Sequence, residues 1–541
     1  MENSVFRAHL IRKLIISGAF VALAVGSGVA ISLTNTNVIK PNEGFITTEL
    51  CKVENKAAAN NLGDKLAEEI EQEGIVLAKN DGILPLSKSI KNVNVFGYDV
   101  MEWVISNSGS GSADAGKGQK AYSILDALTE KGISYNTDLT KYYKKWATAR
   151  DRGVKSYSSS YDTIYRLTNP SLTNNADFAK IYNSVKNKSN TAIVCIGRYG
   201  GEHLDPPHEQ VNNYKAKPST KDATRGYLEI TKEEEELLTA VGKDYKNVIV
   251  VINSTNVMQM DFMSTIPGLK ACLLVGPTGT MGAKAIPDVI WGDVNPSGRT
   301  ADTWPMNHRY NVTYYTSGFW SDKGNSSNAA VGNYYTGVPS GANLANSNNN
   351  AGHGHAVFAD YYEGIYVGYR WFETADKEGF WDQLGDDGKP LYGGYDKVVA
   401  YPFGYGKGYS EFEWELEEIT PNAPANINPN EDIVAKVKVT NKGNYAGKDV
   451  VEIYLTAQYY PGEIEKSYVK LVGFAKTPII NPGKSETVEI TLHTREFMSF
   501  DCYDSNKNSH AGYELDRGSY EIKFMTNAHT LKAGMENNVV K

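Results

Sequence analysis

Cysteine is scarce in this chain: Cys51, Cys195, Cys272 and Cys502 are the only four among 541 residues. They form no CxxC pair and no Cys/His spacing that suits zinc, so a disulfide framework is not expected, and no metal or cofactor is implied. Cys195 and Cys272 stand inside apolar runs, where cysteine acts as a small hydrophobe. Positive charge is also short, with 55 Lys and Arg against 63 Asp and Glu, a formal net charge of −8. With no arginine-rich stripe either, a nucleic-acid partner is excluded. What remains is ordinary for a globular protein with sizeable cores: 41% hydrophobic and 22% charged residues, in a chain long enough for two or more domains. The 35 tyrosines suit a sugar-binding cleft, and equally a β-rich surface.

One long apolar run exists, at the amino end. Leu14 to Leu33 are twenty consecutive uncharged residues, preceded by Arg7, Arg12 and Lys13 and followed by no charge until Lys40. As a helix the run spans about 30 Å, the thickness of a bilayer's hydrocarbon core. The positive-inside rule places residues 1–13 in the cytoplasm and everything after the run outside. The expectation is a single-pass membrane anchor. The alternative is a cleaved signal peptide, with Gly28-Val29-Ala30 as the cleavage site and a secreted product.

After a linker at 34–55, Leu62, Leu66 and Ile70 recur at four-residue spacing, predicting an amphipathic helix that stops near Gly74. Nearly continuous apolar runs follow at Val93–Gly97, Ile193–Ile196, Asn247–Ser254 and Ala271–Gly276. Such runs read as strands buried on both faces. Helical stretches lie between them. The clearest opens at Thr231, with Glu234 three residues on as a capping box. Strands alternating with helices predict a mainly parallel sheet covered on both sides.

The chemistry concentrates at Thr191–Asp205, TAIVCIGRYGGEHLD. The strand ends in Gly197, and Gly200-Gly201 let the backbone turn sharply and approach a ligand. In open α/β sheets ligands bind beyond the carboxyl ends of the strands. Glu202, at the tip, is therefore the candidate catalytic acid, with Arg198 and Asp205 placed to orient it, to hold a sugar hydroxyl, or simply to form ion pairs. The GSGS run at Gly109–Ser112 reads as a hydroxyl-rich loop near a ligand, Gly109, Ser110 and Ser112 being the candidate contacts, or as a plain flexible loop. GSADAGKG at Gly111–Gly118 imitates a phosphate-binding loop. Gly118 stands where the magnesium-binding Ser or Thr belongs, so nucleotide binding is rejected.

Six segments occur in a telling order: EGIVLAKNDGILPL (Glu73–Leu86), the GSGS loop, GRYGGEHLD, WGDVNPSGRTADTWP (Trp291–Pro305), EGIYVGYRWF (Glu363–Phe372) and YPFGYGKGYSEFEW (Tyr401–Trp414). In this order they resemble the α/β-sandwich domain of glycoside hydrolase family 3, the β-glucosidase and β-xylosidase family, over residues 56–414. The resemblance departs at Lys407-Gly408, where Leu-Ser is commoner, and at an irregular insertion, 310–355. It implies that Glu202 is the acid/base of a retaining hydrolase acting on β-linked oligosaccharides or glycosides. Within EGIYVGYRWF and just before it, Tyr361, Tyr366 and Trp371 are expected mostly in core or interdomain packing.

From Glu415 the period changes to two. Ile433, Ala435, Val437 and Val439 alternate with less apolar neighbours, as do Val488, Ile490, Leu492 and Tyr520, Ile522, Phe524. Turn signals separate the runs, so residues 415–527 read as an antiparallel β-sandwich with a tail at 528–541. VTNKGNYAGKDVVEIYL and NPGKSETVEITL resemble the fibronectin type III-like domain that follows the sandwich in the same family. A retaining glycosidase needs a second carboxylate about 5–5.5 Å from the first. In the resembled family it is an aspartate in a Ser-Asp-Trp segment on a (β/α)₈ barrel. These 541 residues contain no such segment, and Ser321-Asp322 is followed by Lys323. The expected fold is a transmembrane helix, an α/β sandwich and an all-β sandwich, like the front half of a circularly permuted, membrane-anchored member. Two functions fit: the acid/base half of a β-glucosidase-like site whose barrel is on a separate chain or has been lost by truncation, or a non-catalytic, membrane-anchored carbohydrate-binding or scaffold protein.

Overall fold

A computed structural model describes residues 55–107, 121–146, 167–201, 206, 210–211, 221–222, 224–316, 361, 363–421 and 431–535. The apolar run Leu14–Leu33 lies outside them. Among the described residues no helix is long and apolar enough to cross a membrane.

The α/β domain is built on strands β1 (Val76–Asn80), β2 (Asn92–Phe96), β3 (Ser134–Tyr135), β4 (Thr191–Arg198), β7 (Asn247–Ser254) and β8 (Ala271–Val275). Between β4 and β7 a small antiparallel ribbon pairs β5 (Gln210–Val211) with β6 (Lys221–Asp222). The sheet order is β1-β8-β7-β4-β2-β3. All neighbours run parallel except the edge strand β1, which is antiparallel to β8. The predicted parallel sheet is therefore present, with one reversed edge. The central strand β4 is buried along its whole length, with Ile193 beside Ile249 of β7 and Val95 of β2. Its apolar run follows from that position, since neither face meets water.

The helices are α1 (Lys56–Gly74), α2 (Ile124–Glu130), α3 (Thr137–Trp146), α4 (Ala176–Val185) and α5 (Lys232–Asp244), then α6 (Phe262–Thr265), α7 (Ala285–Ile290), α8 (Thr313–Thr316) and α9 (Tyr369–Lys377). Helix α5 starts as its sequence predicts: the Thr231 hydroxyl accepts from Glu234 N at 3.0 Å, and Glu234 Oε2 accepts from Thr231 N at 2.8 Å. Leu237, Leu238 and Val241 of α5 enter the core. Helix α1 forms over the predicted stretch and ends at Gly74, but Leu62, Leu66 and Ile70 are more than half exposed. The Asp81-Gly82 turn after β1 is closed by Asn80, whose Oδ1 accepts from Ile83 N and Leu84 N at 3.1 and 3.0 Å. Two short strands, β9 (Trp304–Pro305) and β10 (Val399–Tyr401), pair antiparallel.

The second domain holds β11 (Phe412–Thr420), β12 (Ile433–Asn441), β13 (Val450–Ala457), β14 (Lys470–Lys476) and β15 (Ser485–Leu492), then β16 (Ser499–Asp501), β17 (Gly512–Glu514) and β18 (Tyr520–Met525). Sheets β11-β12-β15 and β14-β13-β18 face each other, and β16 pairs with β17. The period-two reading holds: Ala435, Val437, Val439, Val488, Ile490, Leu492, Tyr520, Ile522 and Phe524 form the shared core, with Ile433 packed at its margin.

The two domains are joined by buried and half-buried contacts. Arg299 Nη2 lies 2.7 Å from Asp449 Oδ1, and Asp449 Oδ2 accepts from Trp414 Nε1 at 2.8 Å. Glu73 pairs with Lys448 and with Lys476. From α9, the Tyr369 ring stacks on Phe403 and meets Tyr454 edge-on, and its hydroxyl accepts from Leu471 N at 3.0 Å. The aromatic segment behaves mostly as expected. Tyr366 hydrogen-bonds Glu465 across the interface, and Trp371 packs on Phe380 and Trp381. Tyr361 differs, being 75% exposed.

Candidate active site

The carboxyl ends of β2, β4 and β7 converge, and three glycines allow the approach. A Cβ on Gly97, which has φ +98°, would lie 2.1 Å from the Cys195 carbonyl oxygen; one on Gly197 would lie 2.9 Å from Cγ of the buried Asp99. At Gly200 a Cβ would lie 2.4 Å from Asn256 Oδ1 and 3.1 Å from Cγ of Pro206. Gly200 and Pro206 therefore bring together the two flanks of the segment that carries Glu202. Glu202 and Asp205 themselves lie outside the described residues, as do Gly109, Ser110 and Ser112.

The take-off from β4 is locked in place. Arg198 is fully buried and uses all five of its N–H donors inside the chain. Nε donates to Tyr227 O at 2.7 Å, and Nη1 to Gly197 O and Glu234 Oε1 at 2.9 and 3.0 Å. Nη2 donates to Glu229 O and Glu234 Oε2 at 2.6 and 2.7 Å. Burial opposes its charge, but the Glu234 carboxylate outweighs that and holds the guanidinium pKa above its usual value. Arg198 has no donor left for a sugar hydroxyl, and its ion pair is buried. Instead of reaching outward, its donors tie the end of β4 to Tyr227, Glu229 and Glu234. The next residue is fixed too, with Tyr199 N donating to Tyr227 Oη at 3.0 Å. On the return side, the buried Gln210 side chain donates to the carbonyls of Gly226, Glu229 and Ile230.

The segment leading to the GSGS loop is also placed. Asn253, buried at the end of β7, accepts from Val104 N at 2.7 Å and donates to Val104 O and Gly276 O. Trp103 Nε1 donates to Thr278 Oγ1, and Gly279 N to Ile105 O. Beyond the loop, Tyr122 N donates to Thr280 O at 2.8 Å. Both ends of that loop are therefore tied to the turn after β8, on the sheet edge where β4 ends. Burial, reinforced by the Asp99 charge, pushes the Cys195 thiol up, so it is an inert core group as expected. Among the described residues no cluster of three or more His, Cys, Asp or Glu is placed to hold a metal.

Sequence reasoning missed Glu234, Asn169 and Asn253 as framework residues. Glu234 is visible as a cap, yet it also accepts from Arg198 and from Asn169 Nδ2 at 3.0 Å. Asn253 does carry a signal, a polar residue inside the apolar run NVIVVINS.

These features define a class: an open α/β domain whose central strand ends in a glycine-rich turn, joined to a fibronectin-like sandwich. Residues 75–369 match the glycosyl hydrolase family 3 C-terminal domain, and residues 449–527 a fibronectin type III-like domain. The chain belongs to glycosyl hydrolase family 3. It is 28% identical to β-glucosidase A of Butyrivibrio fibrisolvens over 83% of its own length and 48% of that protein. It is also 28% identical to a β-glucosidase of Ruminococcus albus, over 84% and 38%. Among solved structures, a β-glucosidase from Paenibacillus barengoltzii superposes with TM-score 0.64 at 25% identity, over 87% of this chain and 42% of that one. β-Glucosidase 3B from Thermotoga neapolitana gives 0.60 at 22%, a likeness of fold, over 87% and 53%. The chain spans less than half the length of these two curated relatives.

Proposed function

We propose that this chain supplies the general acid/base of a retaining, β-glucosidase-type glycosidase, with Glu202 as the proton donor. The nucleophile would come from a (β/α)₈ barrel carried outside these 541 residues, for example on a separate chain. The observation that supports this reading is the Arg198–Glu234 clamp. It fixes the segment leading to Glu202 at the carboxyl end of β4, in a family whose relatives are β-glucosidases. A proton donor must reach the glycosidic oxygen within hydrogen-bond distance, and a loop on a rigid strand end offers that precision. Apolar surroundings would keep the acid protonated near neutral pH.

The test mixes the purified chain with a family barrel carrying an intact nucleophile and measures hydrolysis of aryl β-glucosides. Activity is expected from the mixture and from neither part alone. Glu202→Gln should lower kcat/KM about 10²–10⁴-fold on a poor leaving group, kcat/KM being the measure that reports the acid-assisted glycosylation step. The loss should shrink markedly on a dinitrophenyl glucoside, whose leaving group needs no proton. An equal loss on both substrates would remove Glu202 from the acid role. A silent mixture that still binds oligosaccharide would favour the carbohydrate-binding or scaffold reading.

A further inference from the structure

A second pocket, about 570 Å³ in volume, lies away from the carboxyl end of β4, between the start of α9 and the fibronectin-like sandwich. Its cations are Arg370 of α9, Lys470 at the head of β14, Lys466, and Arg495 on the turn before β16. Lys466 is committed to Asp516 at 2.6 Å, and Arg495 lies 3.3 Å from Glu496. Arg370 and Lys470 form no ion pair among the described residues. Lys470 Nζ donates to the carbonyls of Glu496 and Met498 at 2.5 and 3.4 Å, leaving its third hydrogen for a ligand. Burial and then the nearby Arg370 push the Lys470 pKa down, against a smaller opposing pull from Glu496. One other carboxylate reaches the pocket: Glu465, which accepts from Tyr366 Oη.

The lip is aromatic. Phe500 of β16 and Tyr513 of β17 are 48% and 69% exposed, their ring centroids 4.9 Å apart at an interplanar angle of 59°. Exposed rings of this kind fit the C–H faces of a pyranose, and tilted rings offer no parallel slot for a flat base. Arginine is suited to carboxylate through its planar fork. On a chain of net charge −8, four cations lining one pocket, two of them in no direct ion pair among the described residues, are a local exception that suits an anion. We propose that this pocket binds an acidic oligosaccharide, its carboxylates held by Arg370 and Lys470 and its sugar rings lying on Phe500 and Tyr513. The site would keep a uronate-bearing glycan on the protein independently of any chemistry at Glu202.

Calorimetric titration of the intact chain with trigalacturonate tests this, with its methyl ester, sodium sulfate and hexathymidylate as parallel ligands. Trigalacturonate is expected to bind, more weakly as salt rises, and the ester at least tenfold more weakly. Arg370→Gln and, separately, Tyr513→Ala should each weaken trigalacturonate binding at least tenfold. Tyr513 is exposed, so that variant should fold normally, as far-ultraviolet circular dichroism would verify. Absence of binding, unchanged affinity in both variants, sulfate binding as tightly as the sugar, or preference for the oligonucleotide would each overturn the proposal.

Discussion

At the scale of single residues, Arg198 carries the sharpest expectation. It and Glu234 are almost wholly buried, and removing one partner of such a pair strands a charge away from water. Arg198→Met should therefore destabilise the chain by about 3–5 kcal/mol. Adding Glu234→Gln should recover much of that, because glutamine keeps an acceptor for the Thr231 cap while carrying no charge. Denaturant unfolding of both variants measures the difference. A double variant as unstable as the single one would mean that lost packing, not the stranded charge, sets the cost. The residue scale is also where the sequence was hardest to read. Arg198 sits between an apolar strand and a glycine turn, a setting equally compatible with ligand contact, surface pairing and burial. Its four anchors besides the adjacent Gly197 carbonyl come from residues 29 to 36 positions away, a distance that local pattern does not encode.

Elements were far more legible, because their causes are local. Fully apolar runs became β4, β7 and β8, period-two runs became the second sandwich, and the Thr231–Glu234 box started α5. Helix α1 shows the limit: four-residue spacing predicted its form, but exposure of Leu66 and Ile70 depends on what packs beside it. The contacts between domains were equally hidden, and one of them makes an element-scale prediction. Glu452 of β13 is 4% exposed, accepts from Tyr454 Oη at 2.8 Å, and packs so closely on Gly404 that a Cβ there would lie 2.2 Å from its Oε2. Burial raises its carboxyl to about 8 from an ordinary 4.5. The folded state thus holds the proton more tightly than the unfolded state. Stability from this group is complete below pH 4.5 and is lost as pH rises to about 8, with a slope of up to ~1.4 kcal/mol per pH unit. His529 on Glu373, its pKa raised by that carboxylate against the opposing effect of burial, slopes the same way above its ordinary value. Unfolding measured from about pH 5 to 8 should show Glu452→Gln with the flatter profile and the higher stability at the alkaline end. Parallel profiles would mean that Glu452 is already ionised at neutral pH in the folded chain.

For the whole molecule, the sandwich and fibronectin-like domains share an interface of ion pairs and stacked rings, so the second domain braces the first. Where that assembly resides turns on Leu14–Leu33, and we propose that this run anchors it on the outer face of a membrane. The argument is one of length and charge. Twenty uncharged residues suffice to cross the hydrocarbon, three cations precede them, and a single central Lys, Arg or Asp would cost about 2.5–3.5 kcal/mol of insertion. The full chain should therefore remain with membranes after alkaline carbonate washing, and a version beginning at residue 34 should be released. The substitution Leu23→Gly should have little effect on retention, whereas Leu23→Arg together with Val25→Arg should abolish it. Protease added to intact cells should digest the two folded domains while sparing the first thirteen residues. Release of the full chain by carbonate, or a mature amino terminus just past Ala30, would instead establish the secreted form, with the same two domains exported but untethered.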